Sequence, residues 1–259
     1  MNFTIILSLI LLSIIQGITE WLPISSSGIL VVLEEIIKFE DKNFNLLFNI
    51  SVHTGSLTAV IIFFKRDILG LFKNINLLNN IIIATIPAIV FGFLIKILNI
   101  NIFLQDIKIV TATTLFFSLI LYLSDRTKVC RTFDKHISNK HSLYIGLAQA
   151  LAFIPGTSRS GITITCARYL GFSRIDSSKF SFIISIPTLF AAGVLGISDA
   201  VLNFDAEIIL LLTIGFVTSL IISLLCINFF LKFIKNNTLT LFVIIRIILG
   251  LLLIFYLAN

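Results

Sequence analysis

Glu20 and Arg159 are the two residues best suited to chemistry, and each stands in a polar break within apolar sequence. The first break reads Gln16-Gly-Ile-Thr-Glu20-Trp-Leu-Pro23-Ile-Ser25-Ser26-Ser27-Gly28, and the second Gln149-Ala-Leu-Ala-Phe-Ile-Pro155-Gly-Thr-Ser158-Arg159-Ser160-Gly161. A carboxylate at bilayer depth costs roughly 2.5–3.5 kcal/mol on insertion scales, so Glu20 needs a partner or a purpose. It can serve as general base or as metal ligand; a buried salt bridge is the plain alternative. Arg159 keeps its proton, and its planar fork matches phosphate oxygens bidentately. The hydroxyls of Ser158, Ser160 and Thr163, with the amides that open a helix near Gly156 and Gly161, would complete an anion cradle. Ser25, Ser26 and Ser27 can each act as nucleophile, phosphate donor or helix cap. Gln16 lies one helical turn before Glu20, on the same face, where it can orient the carboxylate or a substrate.

The elements that must carry these residues are membrane helices. The chain has 259 residues, of which 58% are hydrophobic and 12% charged, with a mean hydropathy of +1.09. About twenty apolar residues cross the hydrocarbon core as a helix. Six stretches meet that length, near 44–64, 79–98, 107–124, 178–197, 207–231 and 238–257. Segments 3–36 and 143–171 are apolar, broken, then apolar or amphipathic again. Non-helical backbone at membrane depth is tolerated only where protein or a watery cavity covers it, so both segments read as re-entrant helix pairs. The expected fold is an all-α polytopic membrane protein with six transmembrane helices and two re-entrant pairs.

The breaks also report a repeat. Gln149 follows Gln16 by 133 residues, Pro155 follows Pro23 by 132 and Gly161 follows Gly28 by 133. Phe48, Ser51 and Thr54 recur 134 residues later as Phe182, Ser185 and Thr188. Each half holds an odd number of spans, so the second half should be inserted upside down. Within one domain, 1–259, the first inverted repeat covers 1–124, a basic cytoplasmic loop 125–142, and the second repeat 143–259. Lys and Arg cluster at 65–78, at 125–142 and at Lys232 and Lys235, and this side is assigned to the cytoplasm. Both termini and the Asp199–Glu207 connection then face outside. The net charge of +6 is accounted for by such loops rather than by a nucleic-acid partner.

Several further residues carry two readings. His53, within a span, is either a proton carrier or an interhelical hydrogen-bonding group. Arg246, near the middle of the last span, is either a second phosphate contact or half of an ion pair. Cys130, Cys166 and Cys226 lack metal-site spacing and read as buried thiols. Asp125, Arg126, Asp134 and His136 read as members of a solvated loop. The nucleotide motifs GxxxxGK[ST] and GxGxxG are absent.

The first break, Gln16 to Gly28, resembles the glutamate-rich signature of the bacterial undecaprenyl-diphosphatases, the bacitracin-resistance family. Pro155-Gly-Thr-Ser-Arg159-Ser-Gly161 is similar to that family's second signature, and Phe180 to Pro187 and Arg246 also fit its pattern. The resemblance covers essentially the whole chain. It implies a bacterial inner-membrane (cell-membrane) protein, multi-pass, that hydrolyses undecaprenyl diphosphate to undecaprenyl phosphate plus phosphate. It also implies inverted repeats, a site open to the external face, a Mg²⁺ or Ca²⁺ requirement for which Glu20 is the metal ligand, and room for a homodimer. By position, Glu20, Ser26 and Arg159 would be catalytic: acid–base or metal group, nucleophile or phosphate ligand, and diphosphate clamp. Gln16, Ser25, Ser27, Ser158, Ser160, Thr163 and Arg246 would contact the substrate. The chain departs from the family at Gln16, which stands at the first acidic position, and at Ile29, where members often have histidine. His53 can substitute for that histidine, or Glu20 handles the proton alone. The rival to hydrolysis is a flippase or anion carrier on the same inverted-repeat plan.

Overall fold

In the computed structural model, residues 3–25, 29, 42–98, 106–200 and 205–258 are described. Among them, α1 spans Phe3–Thr19, α2 Lys42–Phe63, α3 Lys65–Leu71, α4 Ile75–Leu98, α5 Ile107–Asp125 and α6 Phe133–His136. Then follow α7 Asn139–Ala150, a 3₁₀ turn Leu151–Phe153, α8 Arg159–Tyr169, α9 Arg174–Asp199, α10 Ala206–Asn236 and α11 Thr240–Ala258. No strand longer than an isolated bridge, Arg131 to Phe172, occurs among the described residues. Among the described residues, six helices, α2, α4, α5, α9, α10 and α11, are long and apolar enough to cross a membrane. The chain is a multi-pass helical membrane protein.

Local sequence sets where the helices begin. Asp106, Ser138, Ser158, Ser173 and Asp205 occupy N-cap positions, and each side chain accepts from an amide of the first turn. Such caps satisfy a donor that the helix itself leaves unpaired. The spans agree with hydropathy to within about two residues, except that α4 starts at Ile75 rather than 79 and that two further helix ends differ. Helix α9 starts at Arg174 rather than 178, because Ser173 caps a polar first turn that hydropathy does not register. Helix α10 runs to Asn236, past Lys232 and Lys235, because interfacial charges do not end a helix. Segment 143–171 divides into α7, the 3₁₀ turn, a break at 154–158 and α8. Of segment 3–36, only α1 and the turn to Ser25, together with Ile29, lie within the described residues.

Helices from the two halves of the chain are interleaved. Helix α10 lies along α1 and α2, while α4 lies along α7 and α9; α2 meets α9, and α5 meets α11. Close approach depends on small residues, as expected where lipid supplies no hydrophobic drive between helices. A Cβ on Gly55 of α2 would sit 2.4 Å from the Phe216 carbonyl oxygen of α10. Beside it runs a hydroxyl chain: Ser223 donates to Ser56 Oγ at 3.0 Å, Ser56 to Ser219 Oγ at 2.9 Å, and Ser219 to the Val52 carbonyl at 2.7 Å. The largest core joins Trp21, Phe64, Phe182, Phe230 and Phe242, with Ile29 packed against it. Leu225, Phe229, Leu252 and Phe255 point outward, the arrangement required of side chains facing lipid.

At the end bearing the basic loops, Asp125 is buried rather than solvated. Its Oδ1 accepts from Arg174 Nε at 2.5 Å, and its Oδ2 from Arg174 Nη2 at 3.1 Å and the Leu239 amide at 2.9 Å. Arg168 donates to the carbonyls of Asp125, Thr127 and Phe172. Asp125 therefore ties together the ends of α5, α8, α9 and α11, through its carboxylate and its main-chain carbonyl. Among the cysteines, Cys226 is buried and Cys166 partly so, but Cys130 is exposed, because its loop lies outside the helical packing.

Candidate active site

Each break is dictated by local sequence. Helix α1 stops at Thr19, three residues before Leu22, which precedes Pro23 and is therefore disfavoured in helical conformation. The Trp21 side chain that follows is fully buried, its ring edge-on to Phe182 at 5.2 Å. In the second break Ile154 precedes Pro155 and is extended, and Gly156 takes φ +87°. A Cβ on Gly156 would meet Thr113 Oγ1 at 2.1 Å and the Val110 carbonyl oxygen at 2.4 Å, so only glycine fits. Ser158, at φ +65°, caps α8 and places Arg159 at its first position.

The two breaks touch. Arg159 Nη2 donates to Glu20 Oε1 at 2.5 Å, its guanidinium carbon lies 5.6 Å above the Trp21 ring, and Ser160 Oγ donates to the Leu22 carbonyl at 2.9 Å. Glu20 Oε2 accepts from Gln16 Nε2 at 2.8 Å, and the same amide nitrogen lies 3.0 Å from His53 Nε2. His53 Nε2 stands 3.7 Å from Glu20 Oε2. The side chains of Glu20 and Arg159 keep only 9% and 16% of their surface exposed, so the pair is largely shielded from solvent screening.

Glu20, His53 and Arg159 line a cavity of about 280 Å³, completed by Gln149, Ala152 and Phe153 and by Ala88 of α4 and Thr188, Leu189 and Ala192 of α9. Pro87 and Pro187 sit inside α4 and α9 at this level, each removing a helical hydrogen bond beside the cavity. The cavity continues into a small groove of about 80 Å³ between Gly92, Ala191, Ala192 and Leu195, nearly all apolar. Larger hollows of about 450 and 590 Å³ open near Arg66 and Lys179 and near Arg126 and Arg174. Neither contains the acid–arginine pair, so volume does not mark the site here.

The structure separates the expected site residues into two groups. Gln16, Glu20 and Arg159 come together, joined by His53. Ser160 and Thr163, expected as anion donors, are instead buried in helix packing. Thr163 Oγ1 is within 2.6 Å of Ser181 Oγ and 2.9 Å of the Arg159 carbonyl. Ser158 Oγ serves as the cap, accepting from the Gly161 amide at 3.3 Å. Arg246, expected as a phosphate contact or ion pair, is fully buried and meets no carboxylate among the described residues. It donates to Ser118 Oγ at 3.0 Å and to the carbonyls of Thr157 at 3.1 Å and Gly156 at 3.0 Å, which makes it the brace of the second break. Ser25 is buried at the end of the first break. Ser26 and Ser27 lie outside the described residues.

Glu20 is the one acid lining the cavity among the described residues, and both its oxygens already accept from nitrogen donors. No group of three His, Cys, Asp or Glu side chains able to hold a metal occurs among the described residues. Among the described residues, this donor set does not build a cation site. Gln149, at the position in the second break that Gln16 holds in the first, is a site residue that sequence reasoning did not weigh. It is 2% exposed, its Nε2 donates to the Ala84 carbonyl at 3.3 Å, and its Oε1 accepts no hydrogen bond among the described residues.

Comparison with known proteins bears on this geometry. The family model described as bacitracin resistance protein BacA matches residues 9–252. An undecaprenyl-diphosphatase of Pelagibacter ubique (strain HTCC1062) is 41% identical over 258 residues, covering 99% of this chain and 100% of that protein.

Proposed function

The chain belongs to the bacitracin resistance protein BacA family, and from that premise we propose that it is a membrane phosphatase acting on undecaprenyl diphosphate. It hydrolyses the phosphoanhydride, releasing phosphate and leaving undecaprenyl phosphate, the carrier lipid of cell-wall synthesis. The observation that carries this reading is the Glu20–Arg159 contact, made between two distant breaks at a cavity that runs on into an apolar groove. A diphosphate on a long hydrocarbon needs that combination: a cation for the phosphates and an apolar path for the tail.

Arg159 holds the terminal phosphate and offsets charge that grows on its oxygens as the anhydride opens, an effect worth about 10²–10³ in rate for one well-placed donor. Glu20 fixes the guanidinium through Nη2, leaving other N–H groups of the fork for phosphate. The attacking oxygen is that of water or of the Ser26 hydroxyl. The first isoprene units lie in the groove between α4 and α9. The cavity residues Ala88, Thr188 and Ala192 fall in the halves of α4 and α9 that lead away from the basic loops. That placement supports a bacterial inner-membrane protein whose site opens to the external face. The exchange of helix partners between the two halves supports the inverted repeat.

Phosphate release by the purified protein in detergent tests the reading, because a micelle offers no second compartment. A hydrolase liberates phosphate from undecaprenyl diphosphate there; a flippase or anion carrier binds the lipid and liberates none.

A further inference from the structure

The cavity holds two hydrogen-bond acceptors that the phosphate clamp does not use. His53 Nδ1 lies 2.8 Å from the Asn49 carbonyl oxygen, one turn earlier on α2. A carbonyl only accepts, so Nδ1 carries the hydrogen and Nε2 presents its lone pair. Nε2 faces the Gln16 amide nitrogen at 3.0 Å, and that amide's other hydrogen goes to Glu20 Oε2 at 2.8 Å. The imidazole stays accessible, with 38% of its side chain exposed against 9% for Glu20. The second acceptor is Oε1 of the cavity-lining residue Gln149, which is buried and accepts no hydrogen bond among the described residues. Its orientation is fixed from behind, because reversing the amide would set oxygen against the Ala84 carbonyl.

We propose that His53 is the residue that takes the proton from the attacking water, with Gln149 Oε1 receiving that water's other hydrogen. This rests on the phosphatase reading above. Water presents a lone pair to phosphorus only when its hydrogens are directed elsewhere, and one acceptor from each half of the chain does that. Water takes the place of the Gln16 amide at Nε2 and its oxygen bonds to the terminal phosphorus. The bond from that phosphorus to the bridging oxygen breaks, and its electron pair leaves on undecaprenyl phosphate. The water proton passes to Nε2. The imidazolium so formed faces the Glu20 carboxylate, 3.7 Å away in the resting site, while Arg159 stays on the phosphate. Glu20 then acts as the counter-charge of base and clamp together, which explains why both its oxygens are held by donors.

The test measures phosphate release from undecaprenyl diphosphate by the full-length wild-type chain, His53→Gln, His53→Ala and Gln149→Leu. Loss of a general base costs about 10²–10⁴ in rate. The expected result is a fall of that size in kcat for His53→Gln with KM within about twofold, since substrate binding stays with Arg159. Imidazole added to His53→Ala restores part of its rate, which a packing role would not produce. Gln149→Leu lowers kcat by a smaller factor at unchanged KM. Full activity in His53→Gln, or an inactive His53→Ala that imidazole leaves inactive, overturns the proposal while the phosphatase reading stands. An inactive wild type removes the phosphatase reading, and this inference with it.

Discussion

Glu20 Oε1 accepts a hydrogen bond from Arg159 Nη2 at 2.5 Å, although 139 residues of chain separate them. Burying such a pair seldom raises stability, because desolvation offsets the attraction. A pair kept at that cost, at the wall of a cavity, is better understood as a clamp held ready for an anion. A lysine at 159 keeps the charge but loses the fork. Arg159→Lys is therefore expected to lower kcat/KM by about 10²-fold while the fold is retained. Kinetics on purified protein with a parallel thermal melt check both parts.

Arg246 braces the second break from inside the helix bundle, through the carbonyls of Thr157 and Gly156 and the Ser118 hydroxyl. Arg246→Met removes the donor to the buried Thr157 carbonyl, at a cost of about 1–3 kcal/mol, and leaves the Gly156 carbonyl with the longer bond from Thr114 Oγ1. The melting temperature should fall together with activity. Lost activity at an unchanged melting temperature would mean that Arg246 contacts substrate instead.

Gly156 has no room for a side chain and holds a backbone conformation that other residues avoid. Gly156→Ala is expected to destabilise the protein by at least about 1–3 kcal/mol. Removing the nearest atom with Thr113→Ala should not cure it, because φ stays positive and the Val110 carbonyl oxygen remains in the way. Melting of the single and double variants in detergent decides this.

The groove at Ala192 offers a test of tail binding. Ala192→Trp fills the passage between cavity and groove, so KM for undecaprenyl diphosphate should rise at least about tenfold. A diphosphate bearing only one or two isoprene units should be affected much less. Equal effects on both lengths would place the tail elsewhere.

Much of this was legible in the sequence, and the exceptions share a cause. The six spans follow from hydropathy, and the meeting of Glu20 with Arg159 follows from two breaks at matching places. Asp125 was misread because a lone loop acid looks solvated, while its partners Arg174 and Leu239 approach only through folding. Ser160 and Thr163 were recognised as polar, yet nothing local says that their hydroxyls turn toward Leu22 and Ser181 rather than the cavity. Arg246 demanded partners, but carbonyls of a distant break leave no mark in composition. His53 reaches Glu20 only because α2 packs beside the end of α1. Gln149 carried a signal that could have been used, since it repeats Gln16.

The central claim is that Glu20 and Arg159, one from each half, form a single phosphate site. A double-mutant cycle measures it most directly, with phosphate release from undecaprenyl diphosphate recorded for the wild type, Glu20→Gln, Arg159→Ala and the double variant. Residues acting as one unit are strongly non-additive. Each single variant should lose about 10²-fold or more, and the double variant should be little worse than the poorer single. Losses that multiply, or either single variant retaining wild-type turnover, would contradict the site.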